Sequence, residues 1–266
     1  MANIKGTPLN DRLSGTPRND TIEGLNGNDF IEGRNGDDII FGGLGKDAIN
    51  GQQGNDTLYG GQGSDYLNDS FGSNILYGEE GDDNLFSARY GTNTLYGGQG
   101  NDLLELNYDT GNILYGEAGN DSLIANILDT GLNISGSMTG GTGNDQFSFT
   151  GGQRSGGETF RGDYEGKLDI LITDFKSGVD KIRIDRLTFT KSRAFTIDEN
   201  ADRSVTLVQF STDDLAKTAA LGENIISYNT TNGNLFYDQT LFGTLQGGPT
   251  LKQTDIQPYA SIAMQP

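Results

Sequence analysis

The chain contains no cysteine, no histidine and no tryptophan. The first two absences exclude disulfides, thiolate metal sites and every mechanism that runs on a thiol or an imidazole, which removes most hydrolase chemistry. Basic residues are scarce: 18 Lys and Arg stand against 37 Asp and Glu, a formal charge of −19. Such a surface repels phosphate backbones and anionic membranes, so the reading is no nucleic acid, no membrane insertion, and a cation as partner. Long apolar runs are missing too, and MANIKGTPLN has no basic segment followed by an apolar one. Neither a membrane span nor an N-terminal signal peptide is expected, which taken alone points to the cytosol. With 33 % hydrophobic residues and five prolines, an ordinary globular core is not expected either.

Glycine is what the chain has, 41 residues of it, and the glycines are periodic. A nine-residue unit recurs across residues 6–124, clearest in GGLGKDAIN (42–50), GGQGSDYLN (60–68) and GGQGNDLLE (97–105). The sixth place carries Asp11, Asp20, Asp29, Asp38, Asp47, Asp56, Asp65, Asp83, Asp102 and Asp121, and the eighth place is aliphatic from Leu13 to Leu123. The first place repeats Gly24, Gly33, Gly42, Gly51, Gly60, Gly78, Gly97 and Gly116; the fourth repeats Gly27, Gly36, Gly45, Gly54, Gly63, Gly81, Gly100 and Gly119.

A strict period of this length is a solenoid signal. Six glycine-rich residues ending in Asp or Asn make a turn, three residues make a short strand, and two units make one eighteen-residue coil. The middle residue of each strand faces inward, so the eighth places form two aliphatic ladders between two parallel sheets. At about 4.8 Å per coil, roughly seven coils give a rod about 30–35 Å long.

The motif GGxGxDxUx resembles the calcium-binding nonapeptide of the RTX, or hemolysin-type, β-roll family. The resemblance implies an all-β, right-handed parallel β-roll with Ca2+ between turns stacked on the same edge, and the sixth-place acids with the first- and fourth-place glycines as metal residues. One edge then carries Asp11, Asp29, Asp47, Asp65, Asp83, Asp102, Asp121 and, in GGTGNDQFS (140–148), Asp145. The other begins with Asp20, Asp38 and Asp56 but continues as Asn74, Asn93 and Asn112, whose turns have lost the opening glycines. Calcium favours six to eight hard oxygens, which carbonyls and carboxylates of two stacked turns supply. Without it, carboxylates about 5 Å apart repel by about 0.8 kcal/mol per pair even at the dielectric of water. Complete gaps number six from Asp11 to Asp121 and two from Asp20 to Asp56, hence about eight ions and a metal-free Asn stack beyond. Eight divalent ions would bring the charge from −19 to about −3.

Outward places differ between the sheets. One shows Phe41, Tyr59, Tyr77, Tyr96 and Tyr115 in a row, a candidate partner face for a second subunit, for the C-terminal segment or for an extracellular polysaccharide; stacking for stability alone is the remaining reading.

Beyond residue 124 the period breaks, recovers at 140–148, and gives way to a polar run. We divide the chain into a roll over 1–150 and an antiparallel β capping region over 151–266. Within the latter, LDILITDFKSGVDKIRI (168–184) alternates, turns at Lys176-Ser177-Gly178 and alternates again, as a hairpin. It resembles the D-x-I-x-DF-x-x-G-x-D-x-I element that closes serralysin-type rolls, in Asp169, Asp174, Phe175, Gly178, Asp180 and Ile182. Strands are expected at 194–197 and 204–210, a helix at 211–221, and a second hairpin at 224–238 around Asn232-Gly233. The repeats begin at residue 6, so no catalytic or pore-forming domain is expected ahead of them, and the protein is read as not an enzyme. The resemblance further implies type I export on an uncleaved C-terminal signal, hence a secreted, extracellular or cell-surface site.

Overall fold

The structure, a computed structural model, describes residues 1–69, 71–87, 91–107, 110–127, 134–151, 168–176, 178–185, 206–210, 225–229, 234–237, 240–246, 249, 251–252 and 255–259. The chain winds between two sheets, taking one strand in each per coil. The first sheet holds β1 (Asn3–Lys5), β3 (Thr21–Asn26), β5 (Ile39–Leu44), β7 (Thr57–Gln62), β9 (Ile75–Glu80), β11 (Thr94–Gln99), β13 (Thr110–Ala118) and β15 (Ile134–Thr142). The second holds β2 (Arg12–Ser14), β4 (Phe30–Asn35), β6 (Ala48–Gln53), β8 (Tyr66–Asp69), β10 (Asn84–Ser87), β12 (Leu103–Asn107), β14 (Ser122–Ile127) and β16 (Gln146–Gly151). All these neighbours pair in parallel, in register at the eighth place: Ile22 on Ile40 on Leu58 in one sheet, Ile31 on Ile49 on Leu67 in the other.

The eighth-place residues from Ile22 to Leu123 are 0–1 % exposed, so the core is the pair of aliphatic ladders that the period predicts. Ile4 and Leu13 pack against it at the open first coil. The strands are longer than the three residues expected, mostly six, because the first three places of the next unit pair as well, as in Leu25 with Gly43 and Asn26 with Leu44. Glycine at the first place leaves no side chain in the way of that continuation.

The expectation that fails is the antiparallel cap. The two sheets run on through the C-terminal part instead. β17 (Leu168–Ile172) adds to the first sheet on β15, and β18 (Lys181–Asp185) adds to the second on β16, both in parallel. The supposed 168–184 hairpin is therefore one more coil, with one strand in each sheet. Alternation marks a strand but not the sheet it joins, and the turn between these two strands carries the chain across the roll rather than back along it. β22 (Thr240–Leu245) and β23 (Ile256–Tyr259) follow in parallel on β17 and β18. β19 (Thr206–Phe210) pairs in parallel with β20 (Ile225–Asn229). Antiparallel pairing among the described residues is confined to β21 (Asn234–Tyr237), which joins β20 and β22 inside the first sheet. β20 and β21 are the arms expected for the hairpin at 224–238; the expected 194–197 strand and 211–221 helix lie outside the described residues.

The described residues of the unphased stretch, 125–127 and 134–139, also fall into register, with Met138 stacking on Leu114 and under Ile172, while Phe147 stacks on Leu123 and under Ile182. All six are fully buried. The core rows do not slip, since a one-residue slip would turn every inward side chain outward.

Candidate metal centre

Each glycine-rich turn projects its sixth-place carboxylate into the stack, where it is held by the neighbouring coil. The amide of Asp29 donates to Oδ1 of Asp47 at 2.7 Å, that of Asp47 to Asp65 at 2.8 Å, and that of Asp65 to Asp83 at 2.7 Å. The chain of bonds starts at Asp11 and continues through Asp102, Asp121 and Asp145 to Asp180. The second edge does the same from Asp20 through Asp38 and Asp56. Every sixth-place acid singled out in the sequence is thus in one of two ladders, and the stretched step from Asp121 to Asp145 still closes at 3.0 Å.

The second oxygen is the telling one. Oδ2 of Asp29, Asp47, Asp65, Asp83, Asp102 and Asp121 on the first edge, and of Asp38 and Asp56 on the second, is buried and meets no hydrogen-bond donor. A buried polar atom without a partner costs about 1–3 kcal/mol, and more when charged. Burial above all, and then the neighbouring acids, push the carboxyls of Asp38, Asp65 and Asp102 up to about 7 and those of Asp83 and Asp121 to about 6. Asp47, Asp56 and Asp145 are raised for the same leading reason.

The glycines define the space around those oxygens. A Cβ on first-place Gly42 would lie 2.5 Å from Asp47 Oδ2 and 2.5 Å from the carbonyl oxygen of Gly60 in the next coil, and Gly24, Gly33, Gly60, Gly78, Gly97 and Gly116 repeat the arrangement. Carboxylate and main-chain oxygens therefore converge on a cradle that a side chain would fill. Fourth-place Gly27, Gly36, Gly45, Gly54, Gly63, Gly81, Gly100 and Gly119 all have φ between 115° and 150°, and a Cβ on Gly45 would collide with the Gly27 carbonyl of the coil before. They shape the turn; first-place glycines keep the space beside the carboxylates clear. No group of three or more acidic, histidine or cysteine side chains occurs among the described residues, so a cation here would be held largely by main-chain oxygens. Hard, oxygen-only donors fit calcium.

The family model of the RTX calcium-binding nonapeptide repeat matches residues 6–40, 24–58, 32–67, 59–89, 87–107 and 108–127. Residues 6–127 are thus similar to RTX repeats. A comparison with curated proteins gives no match. The carboxylates of the array stand in equivalent places along a stack.

At the start of the array the orphaned oxygen is satisfied by the protein. Thr7 donates its amide to Asp11 Oδ2 at 2.5 Å and its hydroxyl at 3.0 Å; Thr16 does the same to Asp20 at 2.6 and 2.7 Å. Burial raises the Asp20 carboxyl, but the Thr16 amide and hydroxyl and the Ala2 amide outweigh it and leave it below its usual range. Along the second edge, Asn74 and Asn93 keep the Oδ1 bond and turn their amide nitrogens to the carbonyls of Gly72 and Gly91, each at 3.4 Å. The amide NH2 supplies the positive end that the Asp turns lack.

Three features escaped sequence reasoning. Asp180 extends the first ladder from a turn without opening glycines; Gly178 at the fourth place, φ 86°, was the available signal. In the same turn Lys176 reaches back with Nζ to the carbonyl of Gly141 at 2.9 Å, so this end of the RTX edge is met by a charge of the protein's own. A second, opposed ladder runs through the fifth places, with Asn101 donating its amide to Asp82 and Asn120 donating to Asn101. The aromatic row is confirmed as a contiguous stack: Phe41, Tyr59, Tyr77, Tyr96 and Tyr115 lie ring on ring at 4.8–4.9 Å, tilted by 6–11°.

Proposed function

We propose that the protein is an extracellular, calcium-folded structural rod that binds about eight ions. The observation that carries this is the set of eight buried sixth-place carboxylate oxygens that meet no donor among the described residues, six on one edge and two on the other. The number equals the sequence count, but the gaps move one coil along. Thr7 and Thr16 serve the first acid of each edge, while Asp121 opens towards Asp145 and Asp56 towards Asn74. Asp Oδ2 and the first-place carbonyl of the following coil would hold each ion. Calcium supplies the charge that lets these carboxyls ionise together. Ion affinities of about 10⁻⁴–10⁻³ M, usual for extracellular modules, would leave the chain loose in the cytosol and fold it outside.

The aromatic row fits the same reading. Rings whose faces are covered by one another, with only Phe41 and Tyr115 open at the ends, favour a stiffening role over stacking on sugars. The test is calorimetric titration of chelator-stripped protein with far-UV circular dichroism in parallel. About eight ions with β-structure appearing on binding is the expected result; no binding, with a folded metal-free state, would overturn it.

A further inference from the structure

Asp69 stands at the first place of its unit, where the coils before it on the second edge carry Gly15, Gly33 and Gly51. Its side chain is completely buried, 0 % exposed. A Cβ on Gly51 would collide with Oδ2 of Asp69 and lie 2.5 Å from Oδ2 of Asp56, so two carboxylates converge on one cradle. One gap earlier, the cradle at Gly33 meets a single carboxylate, Asp38 Oδ2 at 2.5 Å, and the main-chain oxygen of Gly51 at 2.8 Å. Asp56 Oδ2 is buried and no hydrogen-bond donor reaches it. Beyond this gap the edge needs no metal, because Asn74 and Asn93 carry their own amide donors. The gap between coils 51–56 and 69–74 is therefore the last ion place of the edge and the one with an added acid.

Two carboxylates this close in a dry space cannot both ionise unless a cation joins them. Calcium affinity rises with the number of charged ligands and with the rigidity of the site. Asp56 is fixed by the Asn74 side chain, which accepts its amide at 2.8 Å, and Asp69 by its place at the end of β8, in register with Ser87 of β10. We propose that Asp69 and Asp56 together hold the last calcium ion of the second edge, and that this is the tightest site of the protein. Its occupant then stays bound at calcium levels that empty the first edge, and pins the coil where the Asp and Asn halves of the edge meet. The proposal rests on the reading that the orphaned oxygens bind calcium.

The experiment is a calcium titration of the full chain in competition with a chromophoric chelator, comparing wild type, Asp69→Asn, Asp69→Gly and the exposed-charge control Asp82→Asn. Asp69→Gly restores the residue of the neighbouring coils and guards against an Asn variant that fails to fold; circular dichroism at saturating calcium checks both. The expected result is one ion bound at a free calcium roughly tenfold or more below the rest. Both Asp69 variants lose that step and keep the weaker ones, and Asp82→Asn keeps it. A single affinity class in wild type, or a tight step that survives in both Asp69 variants, overturns the proposal while leaving the calcium rod intact. Wild type that binds no calcium overturns the underlying reading instead.

Discussion

The two edges of the roll share one turn geometry and neutralise it in different ways. The first edge keeps a carboxylate in every described coil and leaves its second oxygen bare from Asp29 to Asp121; the second edge changes to Asn after Asp56 and closes the same space with amide hydrogens. On the proposed function, one oxygen-to-nitrogen exchange per coil decides whether a turn depends on an outside cation. The protein is a rod with a conditional edge and a partly unconditional one, wound on a single core.

The largest break in this comparison is chelation. An ion at about a hundred times its Kd contributes about 2.7 kcal/mol, so removing all of them exceeds the 5–15 kcal/mol of an ordinary domain. Far-UV circular dichroism of chelated protein at about pH 8 is expected to lose its β signal over the array. Next is Asp65→Asn, which brings the second edge's solution into the first. In saturating calcium it loses one ion and about 2–3 kcal/mol in thermal unfolding. Under chelator it gains stability relative to wild type, because it removes a buried carboxyl pushed up to about 7. A variant destabilised equally under both conditions would end the parallel between the edges.

The pH dependence sharpens it further. Carboxyls raised in the fold to about 7 (Asp38, Asp65, Asp102) or about 6 (Asp83, Asp121) hold protons that the unfolded chain has released. Stability of the metal-free fold therefore falls as pH rises from about 4 to about 7, so chelated protein is expected to regain at about pH 5 part of the β signal that it lacks at about pH 8. With calcium the order reverses, since protons compete for the same oxygens, and the half-saturating calcium concentration rises on acidification. The smallest effect concerns the second place, where Glu79 and Glu117 sit at φ 77° and 73° while Gly43, Gly61 and Gly98 fill the equivalent positions. Glu79→Gly is expected to raise stability by about 0.5–1 kcal/mol in urea unfolding, with the ion count unchanged.

The array was legible because its signals repeat: an aliphatic eighth place and an acidic sixth place, together, admit little but a roll. What stayed hidden lies where the chemistry persists without the spacing. Met138 continues the row of Leu114, yet the stretch 125–139 has no nonapeptide phase by which to place it. Asp180 continues the Asp ladder 35 residues after Asp145, and Phe175 stands where a first-place glycine would have announced the turn. Alternation over 168–184 reads equally as a hairpin or as two strands of different sheets; only pairing partners separate them. Asp69 was visible as a lost glycine, but not as a carboxylate turned back towards Asp56.

The stacked aromatic row gives the molecule an optical property. With no tryptophan, near-ultraviolet absorption falls to 11 tyrosines and 13 phenylalanines, and four of the tyrosines form one column of nearly parallel rings at 4.8–4.9 Å. Chromophores at that separation share their excitation, and the twist between successive rings makes the shared transition chiral. Near-ultraviolet dichroism therefore reads the stacking of coils 57–115 directly, as a native exciton signal that needs no label and is distinct from the backbone bands.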